Sequence, residues 1–143
     1  MIYLDTSFLT PLFREEATSA KVSAFLARQA AGTLAVSKWA TVEFASLTSR
    51  EVRMGTLTAG QGKRLIAEFD AMITASLVVL IPSANDFDLA RQYVTNFATQ
   101  LRGPDALHLA VAHSNGMEFI ATLDNGMLSA AKRLKIPARR VIR

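Results

Sequence analysis

The sequence contains no cysteine and only two histidines. The lack of cysteine excludes a disulfide framework and a cysteine nucleophile, and together with so few histidines it disfavours a structural zinc site. Long apolar runs are also missing. The longest stretch without a charged residue, "AMITASLVVLIPSAN", is interrupted by Pro82 and is shorter than the ~20 residues of a membrane span. Because no basic segment precedes the first apolar run, we expect no signal peptide and a cytoplasmic protein that does not enter the membrane.

Half of the 143 residues are hydrophobic, which is enough for a substantial core, and the length predicts a single domain over residues 1–143. The net charge of +4 favours a polyanionic partner such as nucleic acid. Two interpretations of the basic residues near the C-terminus stay open: they form a solvated tail in which Lys132, Arg133 and Lys135 complement the C-terminal end of a helix, or they face nucleic acid. These residues are Lys132, Arg133, Lys135, Arg139, Arg140 and Arg143.

Short apolar segments alternate with helical patterns along the chain, which predicts a parallel sheet covered on both faces. The two long helices, 38–54 and 58–75, are expected to form a hairpin that projects from the sheet and offers a surface to a partner. Strands are predicted at 2–4, 33–37, 77–81 and 118–124, with a short fifth strand at 141–142, and 77–81 has the clearest pattern of a buried strand. The remaining helices are predicted at 6–13, 17–31, 83–101, 104–114 and 125–134.

Four acidic residues fall where a parallel sheet brings them together. Asp5 follows the first strand and Asp124 the fourth, and the carboxyl ends of parallel strands share one edge. Glu43 lies early in the helix after the second strand, and Asp105 begins the helix in "RGPDALHLA". Two unit charges ~4 Å apart repel by about 4 kcal/mol at an effective dielectric of ~20, so such a cluster calls for a cation. Carboxylate oxygens suit Mg²⁺ or Mn²⁺.

Each of these acids also has a purely structural explanation. Asp5, Asp105 and Asp124 lie at or near predicted helix starts, where aspartate is favoured as a cap and acids complement the helix dipole. Glu43 is in reach of an ion pair with Arg50 on its own helix. The sequence alone therefore leaves both interpretations open for every acid.

The polar neighbours of the acids carry the same ambiguity. Thr6, Ser7 and Thr122 flank Asp5 and Asp124, where hydroxyls either orient carboxylates and metal-bound water or serve as ordinary caps and strand residues. His108 lies one turn after Asp105 and shares its helix face. It either contacts phosphate or is a hydrogen-bonded structural histidine.

Taken together, these motifs resemble the PIN-domain nucleases. The resemblance rests on "YLDTS", on Glu43 within "TVEFASL", on "GPDALHLAVA" and on "IATLD", in that order over essentially the whole chain. The compact size is similar to that of the VapC-type toxins of bacterial and archaeal toxin–antitoxin pairs. The resemblance implies an α/β three-layer sandwich in which helices flank a central, mostly parallel sheet of four or five strands. It also implies Mg²⁺- or Mn²⁺-dependent cleavage of RNA, neutralisation by a small VapB-type antitoxin and, with the surface of the helical hairpin, a homodimer.

The resemblance also implies roles for individual residues. Its acidic quartet, which supplies the catalytic and metal-binding carboxylates, falls on Asp5, Glu43, Asp105 and Asp124, and its supporting hydroxyls fall on Thr6, Ser7 and Thr122. The segment "LDNG" departs from the pattern, because Asn125 and Gly126 are not expected after the last acid. The resulting hypothesis is in-line hydrolysis of an RNA phosphodiester by metal-activated water.

Two other functions remain open. The first is an α/β phosphotransfer domain with Asp5 as the phospho-acceptor, although position 7 is serine where a dehalogenase-type phosphatase has a second aspartate. The second is a non-catalytic module that binds nucleic acid or an antitoxin and uses the acids only as helix caps.

Overall fold

The computed structural model describes residues 1–143 and places a five-stranded parallel sheet between two layers of helices. None of the helices combines the length and the apolar character that crossing a membrane requires. The strands are β1 (Ile2–Leu4), β2 (Leu34–Ser37), β3 (Val78–Leu80), β4 (Phe119–Ala121) and β5 (Ala138–Arg139). The helices are α1 (Thr6–Leu9), α2 (Ser19–Ala27), α3 (Trp39–Arg53), α4 (Ala59–Ser76), α5 (Ala84–Thr95), α6 (Gly103–Ser114) and α7 (Asn125–Leu134).

The strand order β3-β2-β1-β4-β5 puts the first strand at the centre of the sheet. On one side Tyr3 is in register with Ala35 of β2, and on the other it is in register with Ile120 of β4. The chain winds outward from β1 to β3, crosses back to β4 beside β1, and ends the sheet at β5. The winding direction therefore reverses between β1 and β4, and the crevice beyond the carboxyl ends at such a switch point is the usual ligand site of an open α/β sheet.

Side chains of successive strand residues supply two separate cores, because they point to opposite faces of the sheet. Tyr3 and Ile120 pack with the layer formed by α5, α6 and α7. Leu4 and Val36 pack with the layer formed by α1 to α4. This arrangement confirms the predicted three-layer sandwich.

The predicted helical hairpin is present as the α3–α4 pair. Phe44 and Phe69 stack with ring centroids 4.2 Å apart and nearly parallel planes. A Cβ at Gly62 would lie 2.8 Å from the Cγ2 atom of Val52, so glycine permits the close approach of the two helices. The base of the hairpin packs against the sheet, since Phe44, Phe69 and Ile73 are buried in the core that contains Leu4, whereas Met54 at its tip is 66% exposed.

Two strand predictions need correction. Segment 77–81 has the clearest pattern of a buried strand, but β3 pairs only with β2 at the sheet edge and is half-buried, and Ile81 is 79% exposed. Apolar composition alone does not reveal where a strand lies in the sheet order. The fifth strand is Ala138–Arg139, beside β4, rather than 141–142. Ile142 is apolar because it packs into the core without joining the sheet.

Three predicted helices are longer than the observed ones, because the helical spacing of apolar residues continues beyond the helix into the neighbouring turns. Segment 6–13 divides into α1 and the 3-10 turn Thr10–Leu12, where Pro11 cannot donate a helical hydrogen bond. Segment 17–31 is helical only over α2. Segment 83–101 ends as α5 and resumes as a 3-10 turn at Phe97–Thr99, closed by Gln100 at φ +54°.

Candidate active site

The four acids predicted from the sequence line one pocket beyond the carboxyl ends of β1 and β4. The pocket has a volume of about 300 Å³ and its lining is almost entirely polar, with Leu47 as the single apolar member. Its walls come from α1, α3, α6 and the start of α7, which are far apart in the sequence. The lining residues are Asp5, Thr6, Ser7, Glu43, Ser46, Leu47, Asp105, His108 and Asp124.

Asp5 is the most enclosed of the acids, with 2% of its surface exposed. It is the N-cap of α1: its Oδ1 atom accepts from the Phe8 N–H at 2.9 Å and from the Ser7 hydroxyl at 2.9 Å. Its Oδ2 atom accepts from the Thr122 hydroxyl at 2.6 Å. Burial raises the pKa of Asp5, although His108 and these hydrogen bonds oppose that rise. Asp5 is thus both a helix cap and part of the pocket wall.

Ser7 and Thr122 also join the end of β1 to the loop that carries Asp124. The Leu123 N–H donates to the Ser7 hydroxyl at 3.1 Å, and the Asp124 N–H donates to the Thr122 hydroxyl at 3.0 Å. Asp124 caps α7 by accepting from the N–H of Met127 at 2.7 Å. The two hydroxyls therefore fix the separation between the first and the last acid of the pocket.

The residues of "LDNG" that departed from the expected pattern have local explanations. The guanidinium of Arg140 donates to the Leu123 carbonyl at 2.6 Å and to the Asn125 side-chain oxygen at 3.3 Å. A Cβ at Gly126 would lie 3.0 Å from the Oδ1 atom of Asp124, so glycine leaves room for that carboxylate. Arg140 thus contacts the residue before Asp124 and the residue after it, and so holds the loop in place.

Glu43 is held by His108 rather than by the predicted alternative partner, Arg50. The Thr6 hydroxyl donates to the Oε1 atom of Glu43 at 2.7 Å, and the Nε2 atom of His108 contacts the same oxygen. Burial acts to raise the pKa of Glu43, but the hydrogen bond and charge of His108 outweigh it and the pKa is lowered. His108 is 1% exposed, which favours the hydrogen-bonded interpretation over contact with phosphate.

Asp105 lies in the first turn of α6 but does not cap the helix. The N-cap position of α6 is Arg102, and the carboxylate of Asp105 makes no hydrogen bond within the protein. Burial, followed by the negative charges of Asp124 and Glu43, raises the pKa of Asp105 to about 6. The pocket therefore contains one unpartnered carboxylate whose charge is opposed by its neighbours.

Comparison with known proteins agrees with this geometry. The family model described as PIN domain matches residues 2–133. The chain belongs to the PIN-domain family. No curated protein matches this PIN domain significantly by sequence.

Several solved structures share the fold of this PIN domain. VapC20 of Mycobacterium tuberculosis, a toxin that cleaves the sarcin–ricin loop, is 21% identical with a TM-score of 0.68, over 91% of this chain and 95% of that one. FitAcB of Neisseria gonorrhoeae is 19% identical with a TM-score of 0.68, over 96% of both chains. DNA-bound VapBC of Salmonella typhimurium is 16% identical with a TM-score of 0.65, over 96% of both chains. At these identities the likeness establishes the fold.

The donor set of the PIN-domain pocket fits a hard divalent cation. As the side chains stand, no three of the acids or histidines converge as ligands of one ion. Mg²⁺ needs fewer protein ligands, because it keeps several waters and is commonly bound by one or two carboxylates together with substrate phosphates. The carboxylate of Asp105 and the Oδ2 atom of Asp124 are free of protein hydrogen bonds and can serve in this way.

Sequence reasoning missed three contributors to this PIN-domain site. Tyr3 was assigned only to a strand, yet its hydroxyl lies 2.6 Å from the Nδ1 atom of His108. Arg140 was one of several basic residues, and nothing in the sequence linked it to Asn125. Ser46 lies one turn after Glu43 on α3, so its helical spacing was the available signal.

Proposed function

We propose that this chain is a Mg²⁺- or Mn²⁺-dependent endoribonuclease and the toxin of a VapBC-type toxin–antitoxin pair. The single observation that carries the nuclease proposal is the pocket at the β1–β4 switch point, where four carboxylates from distant parts of a PIN domain meet. A divalent cation bound there supplies Lewis-acid stabilisation of a phosphodiester and lowers the pKa of water.

The residues of the pocket divide the remaining work. Asp5 and Glu43 are held in place by hydrogen bonds and present fixed negative charge. Asp105 is the carboxylate best placed to bind the cation or to orient the attacking water, because it lines the pocket and makes no hydrogen bond within the protein. We assign Asp5, Glu43, Asp105 and Asp124 as catalytic and metal-binding residues, supported by Thr6, Ser7 and Thr122.

The rim of the pocket supports a nucleic-acid substrate. Arg102 immediately precedes the helix of Asp105, and Arg140 contacts both neighbours of Asp124, so positive charge flanks the acids. Basic side chains in these places suit phosphates on either side of a scissile bond. The phosphotransfer alternative is weaker, because position 7, where a dehalogenase-type phosphatase has its second aspartate, is a serine that donates to the Asp5 carboxylate.

Cleavage of a labelled single-stranded RNA tests the nuclease proposal. We expect cleavage with Mg²⁺ or Mn²⁺, loss of cleavage in EDTA, and recovery when the cation is restored. Asp88→Asn on α5 is the matched control for Asp105→Asn, since Asp88 is exposed and lies outside the pocket. Undiminished cleavage in EDTA, or equal cleavage by both variants, would contradict the proposal.

The antitoxin proposal rests on the outer side of α3. Val42 and Leu47 are large apolar side chains exposed on this helix, Met54 is exposed directly after its end, and Leu47 also lines the acidic pocket. A small antitoxin segment lying along α3 is able to place a basic side chain among the acids and block them. Co-expression with the product of the neighbouring reading frame tests this: a stable complex without nuclease activity is expected, and full activity in its presence would contradict it.

A homodimer is the second assembly that we propose. Phe97 is 83% exposed, and Ile81 and Phe87 are also exposed at the β3 edge of the sheet and on α5. Apolar side chains of this size at the surface are typical of an association surface. Light scattering at tens of micromolar, a concentration suited to interfaces of ordinary size, should show a dimer, and a monomer throughout would contradict this assignment.

A further inference from the structure

Behind the acidic pocket, a buried chain of hydrogen bonds connects Glu43 to the middle of the central strand. His108 lies between the two ends: its Nδ1 atom is 2.6 Å from the hydroxyl of Tyr3, and its Nε2 atom contacts the Oε1 atom of Glu43. Tyr3 is fully buried, and its ring meets the imidazole edge-to-face at a centroid distance of 5.7 Å. Both ring nitrogens of His108 are therefore engaged.

The direction of this chain follows from the hydrogen-bonding capacity of its members. A carboxylate only accepts, so the Nε2 atom of His108 must carry the proton that it shares with Glu43. The hydroxyl of Tyr3 can donate to an unprotonated Nδ1 atom or accept from a protonated one, so it satisfies this nitrogen whether or not His108 is charged. In both states the Nε2–H of His108 is directed at Glu43, and Tyr3 holds the ring in the orientation that this bond requires.

This arrangement makes the two oxygens of Glu43 unequal. The Oε1 atom accepts from His108 and also from the Thr6 hydroxyl at 2.7 Å. The Oε2 atom makes no hydrogen bond within the protein, although Glu43 lines the pocket. A glutamate has three side-chain torsions, and two bonds to one oxygen restrict them strongly.

We propose that Tyr3 and His108 are positioning residues for Glu43, which hold its Oε1 atom and leave its Oε2 atom available to a divalent cation. The inference rests on the proposed function. It assigns two roles to α6, since the helix carries Asp105 and, one turn later, His108, which orients Glu43. His108 is not itself a ligand, because neither of its ring nitrogens is free.

The test compares variants that remove one bond and keep the packing. Tyr3→Phe deletes only the hydroxyl, with Tyr93→Phe on α5 as its matched control. His108→Leu deletes the donor to Glu43, whereas His108→Gln keeps an amide N–H that is able to reach it. His113→Leu, on the exposed side of the same helix, is the matched control for His108→Leu.

Mn²⁺ affinity, measured by calorimetry and by the electron paramagnetic resonance of free Mn²⁺, is the main readout. Removing the outer partner of a metal ligand typically costs 10- to 100-fold in metal affinity, so we expect that loss for His108→Leu and about 10-fold for Tyr3→Phe. His108→Gln should retain most of the Mn²⁺ affinity of the parent, and the affinity of the two control variants should equal that of the parent. Raising Mn²⁺ should restore the cleavage rate of Tyr3→Phe, which a general loss of folding would not allow.

The outcomes separate the two proposals. A parent protein that neither binds Mn²⁺ nor cleaves RNA overturns the proposed function, and the positioning role with it. A parent that binds Mn²⁺ no more tightly than folded His108→Leu and Tyr3→Phe overturns the positioning role alone. If His108→Leu does not fold, Tyr3→Phe and His108→Gln still decide the question, because both keep the bulk of the original side chain.

Discussion

The four carboxylates of the pocket form two pairs that the fold treats differently. The inner pair, Asp5 and Glu43, is embedded in hydrogen bonds from hydroxyls, a backbone N–H and His108. The outer pair, Asp105 and Asp124, faces the pocket with at most one bond each, and burial and mutual repulsion raise the pKa of Asp105 to about 6. The inner pair thus helps to stabilise the fold, whereas the outer pair is destabilised by charge repulsion that a bound cation would relieve.

The largest effect is expected from removing the most embedded carboxylate. Asp5→Ala deletes the α1 cap and leaves Thr122 and Ser7 without their acceptor, so the free energy of unfolding should fall by about 2–4 kcal/mol. RNA cleavage should be lost as well. Urea denaturation checks the stability, with Asp88→Ala as the control, and a variant as stable as the parent would show that the network around Asp5 is not structural.

In the outer pair, activity and stability should separate. Asp105→Asn removes a charge but no hydrogen bond, so cleavage should fall by about 10²- to 10⁴-fold while stability without metal stays level or rises. Added Mg²⁺ should stabilise the parent more than the variant. Melting temperatures with and without Mg²⁺ provide the measurement. Normal cleavage with an unchanged Mg²⁺ response would remove Asp105 from the site.

The pH dependence of stability should have opposite signs in the two pairs. The folded-state pKa of Asp105 lies above its ordinary 3.8, so the destabilisation is complete above about pH 6 and disappears as the pH falls towards 4. The pKa of Glu43 is lowered from 4.5, so its contribution to stability is present above that pH and is lost below it. Melting of the parent, Asp105→Asn and Glu43→Gln in EDTA, from about pH 3 to about pH 7, should show the two differences running in opposite directions, and parallel profiles would contradict the division into pairs.

At Asp124 the comparison becomes finer, because this residue is both a cap and a member of the outer pair. Asparagine caps a helix about as well as aspartate, so Asp124→Asn should keep the stability of the parent and lose activity. Asp124→Ala should lose activity and also about 0.5–2 kcal/mol of stability. Equal stability of the two variants by thermal denaturation would mean that the cap contributes nothing.

The smallest effect is expected at Arg140, which contacts the loop of Asp124 from an exposed position. Arg140→Ala should lower stability by less than about 1 kcal/mol, because an exposed hydrogen bond is largely replaced by water. Cleavage should fall only a few-fold, and Asn125→Ala should resemble it. Initial cleavage rates at fixed Mg²⁺ check this prediction. An unchanged rate in both variants would show that the contact between Arg140 and the loop does not affect Asp124.

Sequence reasoning reached the acids because their placement depends on topology. Alternating strands and helices imply a parallel sheet, and residues that follow its strands, such as Asp5 and Asp124, must share an edge. It did not reach the difference between the pairs, which depends on side-chain contacts of His108 with Tyr3 and with Glu43, residues 105 and 65 positions away in the sequence. It also misjudged β3, because strand order is decided by packing rather than by the composition of one segment.

The central place of β1 has a consequence for how the protein is made. The strand that precedes Asp5 pairs with β4, the strand that precedes Asp124, and about 120 residues of chain separate the two acids. A ribosome adds about 5–20 residues per second, so this interval takes on the order of ten seconds. Until the segment that follows β4 emerges, Asp5 has no Thr122 to bind and the pocket lacks the wall that carries Asp124. The proposed nuclease is therefore inert during its own synthesis, and an inhibitor translated beforehand has time to meet it.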